Sequence, residues 1–471
     1  MSTTPDTATA AWVDGDGRGE GDGRGEVAGP IGSKHRLPLC PPPRISWRRY
    51  LPPLLVGLIV RFFIAVIAAQ PRIPAQADQY YYRAQGELIT HGYWWVLPGS
   101  VAHGSPGVPA AIHPPLFSGV LGLADLLGFH GMVAQRGVLS VLSVTAIFCC
   151  GRVGARLPGK GTEVTVAWVA ALLTGMWIYE GQDLSEAITV PLLAFTILML
   201  YRLLERPTVP RAVMLGIAVA LGALTRPELV VLVIVFAPIS FASFRWSVRA
   251  KLTLVFLAVI VVIVGPWVGR NLHDSRDPEF ISENLGSVLV GSNCPSTYYG
   301  PGLGTWAARC GSTVVPPPGG QSTLDHLDQR IGVHYARAHL GRVPVVMAAR
   351  FGRSLGVWPA PSAQVDWNAT AGGVWPHWNS WLYLVTWWLS IPLAIIGAVS
   401  LRRDRMVMWP LVSLIILFFA VSMVLYADTR FASSCQPALA ILVGVGLTRS
   451  WSAIGSTRGA HARVRHAALG V

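Results

Sequence analysis

Long apolar runs separated by short arginine-rich loops are the feature that most restricts how this chain can fold. A helix needs roughly 20 apolar residues to cross a bilayer, and about 17 is the lower limit. The chain is 52% hydrophobic and only 13% charged, whereas a soluble domain carries about 25% charged residues. The sequence therefore predicts an all-α polytopic membrane protein. Several candidate spans are short, so their ends must include flanking polar residues. The candidate spans are 51–69, 137–151, 164–180, 187–204, 212–224, 229–243, 252–269, 380–400, 407–425 and 432–448.

The positive charge lies in short loops and predicts the orientation of the spans. A formal net charge of +13 could indicate a nucleic-acid partner. The arginines, however, cluster between the apolar runs, as in the cytoplasmic loops of bilayer proteins. With these loops in the cytoplasm, ten crossings alternate and both termini lie inside. We therefore expect a multi-pass protein of the plasma membrane and no nucleic-acid partner. The loops are 151–161, 201–211, 244–251 and 401–405, together with the tail after Arg449.

Two further apolar stretches, 114–128 and 343–358, do not fit as crossings in this topology. Both are short for a span, and the first contains Asp125. We interpret them as re-entrant or interfacial helices. If both crossed instead, the count would rise from ten to twelve and the middle of the topology would invert. The expected fold is a bundle of 10–12 transmembrane helices with extracytoplasmic loops.

Composition divides the chain into five parts. The N-terminal stretch repeats Gly, Asp, Arg and Glu without an apolar anchor, which predicts disorder. A long polar stretch before the last three spans predicts an extracytoplasmic insert. The parts are a disordered cytoplasmic tail (1–44), an N-terminal transmembrane module with the candidate site (45–269), the insert (270–379), C-terminal transmembrane helices (380–448) and a basic cytoplasmic tail (449–471). The N-terminal module includes the first outer loop (70–113).

The insert contains two cysteines, Cys294 and Cys310, sixteen residues apart. Outside the cytoplasm such a pair can form a disulfide, and we predict that it does; two free thiols are the alternative. The sequence contains no CxxC or His/Cys spacing that indicates a structural zinc site.

Most of the unusual polar residues fall on the exterior side of the predicted topology. Charge at lipid depth is costly, so such residues usually face a cavity and mark a functional site. A scatter of structural helix caps would instead occur on both sides of the membrane. The exterior segments that carry these residues are 70–113, 181–187, 225–228, 270–379 and 426–430.

Asp78 and His113 are the candidates in the first outer loop. Asp78 stands in "ADQYYYRAQGELI", beside three tyrosines, where a carboxylate could act as general base toward an acceptor hydroxyl. An exposed loop residue or a helix cap is the alternative. His113 stands in "AIHPPLF", where two prolines fix an extended entry to the next apolar stretch. It could bond substrate or, equally, cap the helix.

The other exterior segments supply further carboxylates and arginines. "QDLSEA" places Asp183 and Glu186 at the start of a span, a spacing that puts both on one side of a helix turn. Helix capping explains part of this pattern. "LTRPEL" carries Arg226 and Glu228 around a proline, which a charged hairpin turn would also explain.

Arg270 and Arg430 lie at exterior ends of spans, against the usual inward bias of positive charge. Arginine binds a lipid phosphate through bidentate hydrogen bonds. Snorkelling to lipid headgroups is the alternative for each residue.

The order of these motifs resembles the GT-C fold membrane glycosyltransferases. An Asp in the first outer loop is followed by HPPL, an SEA-type loop and LTRPE. The pattern is most similar to the branch related to protein O-mannosyltransferases and lipid A aminoarabinose transferases (glycosyltransferase family 39-like). The similarity covers roughly residues 45–450. "GSNCPSTYYGPGLGTW" and "YADTRF" further resemble actinobacterial members.

The resemblance implies a membrane glycosyltransferase that moves a sugar, with inversion, from a polyprenyl-phosphate donor to an extracytoplasmic acceptor. The acceptor would be a cell-envelope glycan, lipid or protein. Asp78 matches the catalytic Asp of the family and would take the acceptor proton. Glu186 matches a second acidic position, and His113 matches the HPP histidine near the active site. Candidates for the donor phosphate are Arg226, Arg270 and Arg430, and candidates for substrate binding are Tyr81, Tyr82 and Glu228.

Gln79 departs from the family pattern, in which a second acidic residue commonly follows the catalytic Asp. We therefore expect no obligatory metal or other cofactor; a divalent cation is the alternative. A polytopic transporter or a flippase for lipid-linked sugars is the competing function. Transporters usually place binding residues near the midplane on broken helices, often within internal repeats. This sequence instead gathers its polar residues on one side.

Overall fold

The part of the chain that the structure describes is mainly helical. The computed structural model describes residues 39–68, 78–101, 105–234, 245–311, 320–363, 365 and 377–468, and these ranges contain no β-strand. The predicted all-α class is confirmed. The main helices are α1 (Trp47–Phe62), α2 (Asp78–Thr90), α3 (Pro115–Leu126), α4 (Gly131–Ser143), α5 (Thr145–Gly154), α6 (Thr162–Leu172), α7 (Glu186–Glu205), α8 (Val209–Ala223), α9 (Trp246–Asp274), α10 (Leu285–Ser292), α11 (Gly320–Ala338), α12 (Val343–Ser354), α13 (His377–Arg403), α14 (Trp409–Val424) and α15 (Gln436–Ala468).

Six helical segments of the described chain are long and apolar enough to cross a membrane, and each coincides with a predicted span. Three other predicted spans overlap the shorter apolar helices α6, α8 and α14. The remaining predicted span, 229–243, lies partly outside the described residues. The six long segments are Trp47–Val66, Gly131–Gly154, Glu186–Glu205, Trp246–Asp274, His377–Arg403 and Gln436–Ile454.

The two stretches that we interpreted as non-crossing form the short helices α3 and α12. Each has 12 residues, which corresponds to about 18 Å of helix against about 30 Å of hydrocarbon. Neither is long enough to cross alone. The start of α3 is fixed by Pro115 at its first position and by a hydrogen bond from Leu116 N to Leu224 O (2.9 Å). This bond ties α3 to the end of α8.

Helix α7 lies in the core, because 16 of its 20 residues are buried and a helix that is apolar all round is an interior helix. Helix α9 instead exposes large apolar side chains, such as Leu254 and Val262. Helices α13 and α15 cross closely at Gly397 and Gly446. A Cβ atom at either glycine would clash with a backbone carbonyl of the other helix, so small residues permit this approach.

The described structure extends into both predicted tails. Residues 1–38 of the N-terminal tail lie outside the described residues. Within the remainder, Cys40 N donates to Arg156 O (3.0 Å), and Pro43 O accepts from Arg152 (3.4 Å). The described structure therefore begins before residue 45. At the other end, α15 continues past the predicted boundary at 448 to Ala468.

The insert is fastened to the C-terminal helices. Its Cys294 and Cys310 are joined by a disulfide bond. Arg350, on α12, donates to the carbonyl oxygens of Ser292 (2.6 Å) and Val424 (2.9 Å). The disulfide region is thereby held against the end of α14, next to the segment that leads into α15.

Candidate active site

Four segments that are distant in the sequence bring their charged side chains together. Asp78 is the first residue of α2, and Glu186 is the first residue of α7. A carboxylate at a helix N-terminus is favoured by the helix dipole. Arg226 follows α8 in an extended conformation (φ −145°, ψ 126°), as expected of a residue before a proline. Arg430 lies in a 3₁₀-helical segment, Thr429–Ser434, before α15.

Arg430 joins two carboxylates of the cluster. Its Nη1 donates to Asp78 Oδ2 at 2.8 Å, and its Nε donates to Glu186 Oε1 at 2.8 Å. The position of its backbone is set by Asp428, whose Oδ1 accepts from Arg430 N at 2.9 Å. The planar guanidinium group can hold both partners at once because it presents several N–H groups in fixed directions.

Arg226 extends the same network. It donates to Glu186 Oε1 through Nη1 and to Glu228 Oε1 through Nε, the latter at 2.5 Å. Its guanidinium carbon also lies 5.7 Å from the centre of the Phe431 ring, within range of a cation–π contact. The result is an alternating chain of three carboxylates and two guanidinium groups, in which the buried Glu186 lies between both arginines.

His113 lies beside Asp78, with 3.5 Å between His113 Nε2 and Asp78 Oδ1. Its ring lies 4.7 Å from the ring of Tyr82 and 5.1 Å from that of Tyr81. Tyr82 is in turn packed edge-on against Phe117 of α3 (4.9 Å). The two tyrosines therefore hold the histidine ring in place beside the carboxylate.

The charges of the cluster shift the pKa of its outer members. Burial alone would raise the pKa of Asp78, but Arg430 and His113 outweigh it and hold this pKa well below its usual range. Asp78 is consequently ionised at neutral pH, and its side chain keeps 36% exposure. Burial raises the pKa of Asp428, although Arg430 opposes this effect. Asp78 is thus a charged carboxylate that is open to a ligand.

A cavity of about 590 Å³ opens onto this cluster. Its other wall comes from the insert, through ten residues: Pro278, Glu279, Phe280, Ile281, Ser282, Asn284, Leu285, Val288, His326 and Gln329. Within the described residues, no group of three or more His, Cys, Asp or Glu side chains has the arrangement of a metal site. The site residues that line the cavity are Asp78, Tyr82, His113, Arg226, Glu228 and Arg430.

Arg270 and Tyr81 do not line this cavity. The Arg270 guanidinium donates to Trp95 O (2.7 Å) and Ala110 O (3.3 Å) and pairs with Asp274 at 2.9 Å. It therefore fastens the first outer loop to α9, away from the charged cluster. Tyr81 reaches the site through its contacts with the rings of His113 and Tyr82.

The sequence pattern misplaced Asp183. We expected it on the same side of a helix turn as Glu186, but α7 begins only at Glu186. Asp183 precedes the helix with φ +50°, a left-handed conformation that Asp tolerates better than most residues. Its carboxylate binds Arg136 through two hydrogen bonds of 3.0 Å each. It therefore faces α4 rather than the cavity.

No sequence motif predicted the insert residues that form the second wall of the cavity. Glu279, His326 and Gln329 lie on that wall. Their proximity to Asp78 depends on how the insert packs, and no local motif signals it. The density of acidic residues in "RDPEFISEN" was the available hint.

The helices and this ion-paired cavity define a polytopic membrane protein with the GT-C fold. The chain is similar in structure to the oligosaccharyltransferase AglB from Archaeoglobus fulgidus in complex with an inhibitory peptide and a dolichol-phosphate. The TM-score is 0.50 at 14% sequence identity, over 89% of this chain and 52% of AglB. The structure of the same oligosaccharyltransferase with zinc and sulfate gives a TM-score of 0.51 at 13% identity, over 85% and 49% of the two chains. This chain thus spans about half the length of AglB.

A second similar structure is ArnT from Cupriavidus metallidurans bound to undecaprenyl phosphate. Its TM-score is 0.39 at 14% identity, over 86% of this chain and 79% of ArnT, which is too distant to bear on this protein. No protein-family model matches the sequence. No curated protein sequence matches it either. The expected likeness to actinobacterial proteins is not tested by these comparisons.

Proposed function

We propose that this protein is an inverting membrane glycosyltransferase, which transfers a hexosyl or pentosyl group from a polyprenyl phosphate to an extracytoplasmic acceptor. The acceptor is a hydroxyl of a cell-envelope glycan, lipid or protein. The observation that carries this proposal is the alternating network from Asp78 to Glu228 on the wall of one cavity. It offers a proton acceptor and two arginines within a single site.

The proposed reaction forms one carbon–oxygen bond, breaks one carbon–oxygen bond and moves one proton. The acceptor oxygen attacks the anomeric carbon, Asp78 takes the proton from that oxygen, and the carbon–oxygen bond to the phosphate breaks. The departing polyprenyl phosphate keeps the bonding electrons and gains negative charge. Arg226 and Arg430 are placed to receive that charge, because fixed cationic donors at a developing anion lower the barrier. Attack from the face opposite the phosphate inverts the anomeric centre.

The contact between Arg430 and Asp78 supports an order of events. While it persists, the pKa of Asp78 is low, so the carboxylate is a weak base. A donor phosphate that takes hydrogen bonds from Arg430 weakens this contact. The pKa of Asp78 then rises toward its ordinary value, and the residue becomes a better proton acceptor. Donor binding therefore prepares the base for the acceptor.

Glu186 and His113 act as positioning residues in this scheme. Glu186 is fully buried and contacts both arginines, which supports a role in aiming them at the phosphate. His113 holds the second oxygen of Asp78. Tyr82 and Glu228 line the cavity and are proposed to contact substrate.

The disulfide supports an extracytoplasmic cavity. Disulfides persist in oxidising compartments and are rare in the cytoplasm. Cys294 and Cys310 are bonded in the same insert whose residues, Glu279 and His326 among them, form the second wall of the cavity. We place the cavity at the outer face of the plasma membrane, both termini in the cytoplasm, and the donor's polyprenyl tail in the bilayer.

The test combines an assay with a deletion strain. The purified protein is incubated with a panel of polyprenyl-phosphate sugars, and the release of free polyprenyl phosphate is followed with envelope acceptors present. In parallel, mass spectrometry compares the envelope glycans of the deletion strain with those of its parent. Consumption of one donor together with loss of one glycan linkage supports the proposal. Unchanged glycans and no donor consumed would rule it out, and movement of intact donor across vesicles would favour a flippase.

A further inference from the structure

Glu279 stands out among the acidic side chains of the insert because it lines the cavity. Its residue surface is only 6% exposed. Its Oε1 has no hydrogen-bond partner among the described residues, although His326 Nε2 lies 3.3 Å away. A buried polar atom without a hydrogen bond is costly, so a buried carboxyl in this state on a cavity wall points to a ligand.

The neighbouring carboxylates already have structural partners. Glu283 accepts from Ala111 N and from Ser275 Oγ, both at 2.8 Å. Asp325 accepts from Gly286 N and from Gln329 Nε2, both at 2.7 Å. These bonds fasten the insert to itself and to the first outer loop.

Asp277 is occupied in the same way, since it accepts from Thr323 Oγ1 at 2.6 Å. None of the three carboxylates with structural partners lines the cavity. Glu279 is therefore the acidic side chain of this group that lines the cavity and can meet a bound molecule.

The chemistry of Glu279 favours a neutral polar ligand. Burial, the negative charges of Asp325, Glu283 and Asp277, and a hydrogen bond with Asp325 raise its pKa to about 8. A protonated carboxyl both donates and accepts a hydrogen bond, as a sugar hydroxyl does. A phosphate would be repelled by the surrounding acids and attracted to Arg226 and Arg430 on the opposite wall.

We infer that Glu279, with His326 and Asn284 beside it on the insert wall, forms a subsite for the hydroxyl groups of a sugar ring. The inference rests on the proposed function and extends it, because it assigns the two walls different tasks. The arginine wall holds the phosphate, and the insert wall orients the ring. The ring belongs either to the donor or to a glycan acceptor, and the experiment below separates these sources.

The experiment compares Glu279→Leu and Glu279→Gln with Asp328→Asn. Asp328 is a matched control: it is also a buried carboxyl of the insert, with an oxygen that lacks a described hydrogen-bond partner, but it does not line the cavity. Binding is measured for a polyprenyl-phosphate sugar and for polyprenyl phosphate without a sugar, and KM is measured for donor and acceptor. All variants are first checked for folding by their thermal unfolding.

We expect Glu279→Leu to raise roughly 10-fold either the Kd and KM of the sugar donor or the KM of the acceptor. This is the effect of a lost hydrogen bond in a buried site. Glu279→Gln should recover most of this loss, because an amide also donates and accepts. A change confined to donor binding and donor KM assigns the subsite to the donor sugar. A change confined to acceptor KM assigns it to an acceptor glycan.

Two outcomes would overturn the inference. In the first, the sugar-dependent constants of Glu279→Leu match those of Asp328→Asn. In the second, binding of sugar-free polyprenyl phosphate falls as much as binding of the donor. Failure of the proposed function is distinguishable from both, since the wild-type protein would then consume no donor at all.

Discussion

Arg430 and Asp78 are 352 residues apart in the sequence, and 2.8 Å separates Arg430 Nη1 from Asp78 Oδ2. The same guanidinium group reaches Glu186. One side chain therefore connects the start of α2, the start of α7 and the segment before α15. In the proposed reaction this arginine has two tasks, since it restrains the base until the donor arrives and then stabilises the departing phosphate.

Replacement of Arg430 by lysine tests these two tasks. Arg430→Lys keeps the positive charge, but a single ammonium group cannot hold Asp78 and Glu186 in the planar geometry of the guanidinium. We expect kcat to fall by roughly 100-fold, the typical cost of losing a fixed donor to a developing anion. The control is Arg342→Lys, because Arg342 binds a backbone carbonyl of the insert, Tyr298 O. Equal kcat in Arg430→Lys and the wild type would exclude this role.

The pH profiles of kcat and kcat/KM should separate. The kcat/KM profile reports the free enzyme, and the kcat profile reports the complex. In the free protein Arg430 and His113 hold the pKa of Asp78 below its usual range, so we expect kcat/KM to stay level well into the acid range. In the complex the phosphate shares Arg430, and the acid limb of kcat should lie at higher pH. Coincident acid limbs would argue against release of the base by the donor.

The buried ion pair of Arg136 and Asp183 should hold Glu186 in position, although it does not line the cavity. Asp183 holds the turn that leads into Glu186, and it is fully buried. Removing one partner of a buried ion pair costs about 3–5 kcal/mol, so Arg136→Met and Asp183→Asn should each lower the free energy of unfolding and reduce kcat. The double variant should lose less than the sum of the singles, because its members are in contact. Strictly additive losses in thermal unfolding would contradict direct coupling.

The motifs predicted the charged cluster better than they predicted its surroundings. Asp78, Glu186 and Arg430 were placed on one side by counting spans and by the positions of basic loops, and they do meet. Arg270 satisfied the same criterion, yet its donors bind the carbonyl oxygens of Trp95 and Ala110. The predicted side of the membrane and the charge could not distinguish an arginine that binds carboxylates from one that binds backbone carbonyl oxygens. Every residue has a backbone carbonyl, so no sequence motif indicates the second kind of bond.

Two further features depended on tertiary structure. The direction of Asp183 follows from a left-handed backbone (φ +50°) that helical spacing does not foresee. Glu279 reaches the cavity because of how the insert packs. This packing includes hydrogen bonds from Gly286 N to Asp325 and from Ala111 N to Glu283. Such contacts join segments far apart in the chain, where local pattern carries no information.

The sidedness of the cavity can be measured by cysteine labelling in intact cells. Tyr80 on α2 and Tyr299 in the insert are both exposed (46% and 48%), and Lys160 is exposed in a loop that we place in the cytoplasm. We expect Tyr80→Cys and Tyr299→Cys to react with a membrane-impermeant maleimide, and Lys160→Cys to react only after permeabilisation. Labelling of Tyr80→Cys and Tyr299→Cys from opposite sides of the membrane would refute a shared outer site.

The most direct measurement is a single-turnover assay of Asp78→Asn with a labelled polyprenyl-phosphate sugar. The variant keeps the size of the side chain but cannot take a proton. If Asp78 is the proton acceptor, sugar transfer should be slower by at least about 100-fold. Donor binding should stay near that of the wild type. Glu87→Gln, an exposed acid on the same helix, should transfer normally. Transfer by Asp78→Asn at the wild-type rate would contradict the proposed role of Asp78 as the proton acceptor.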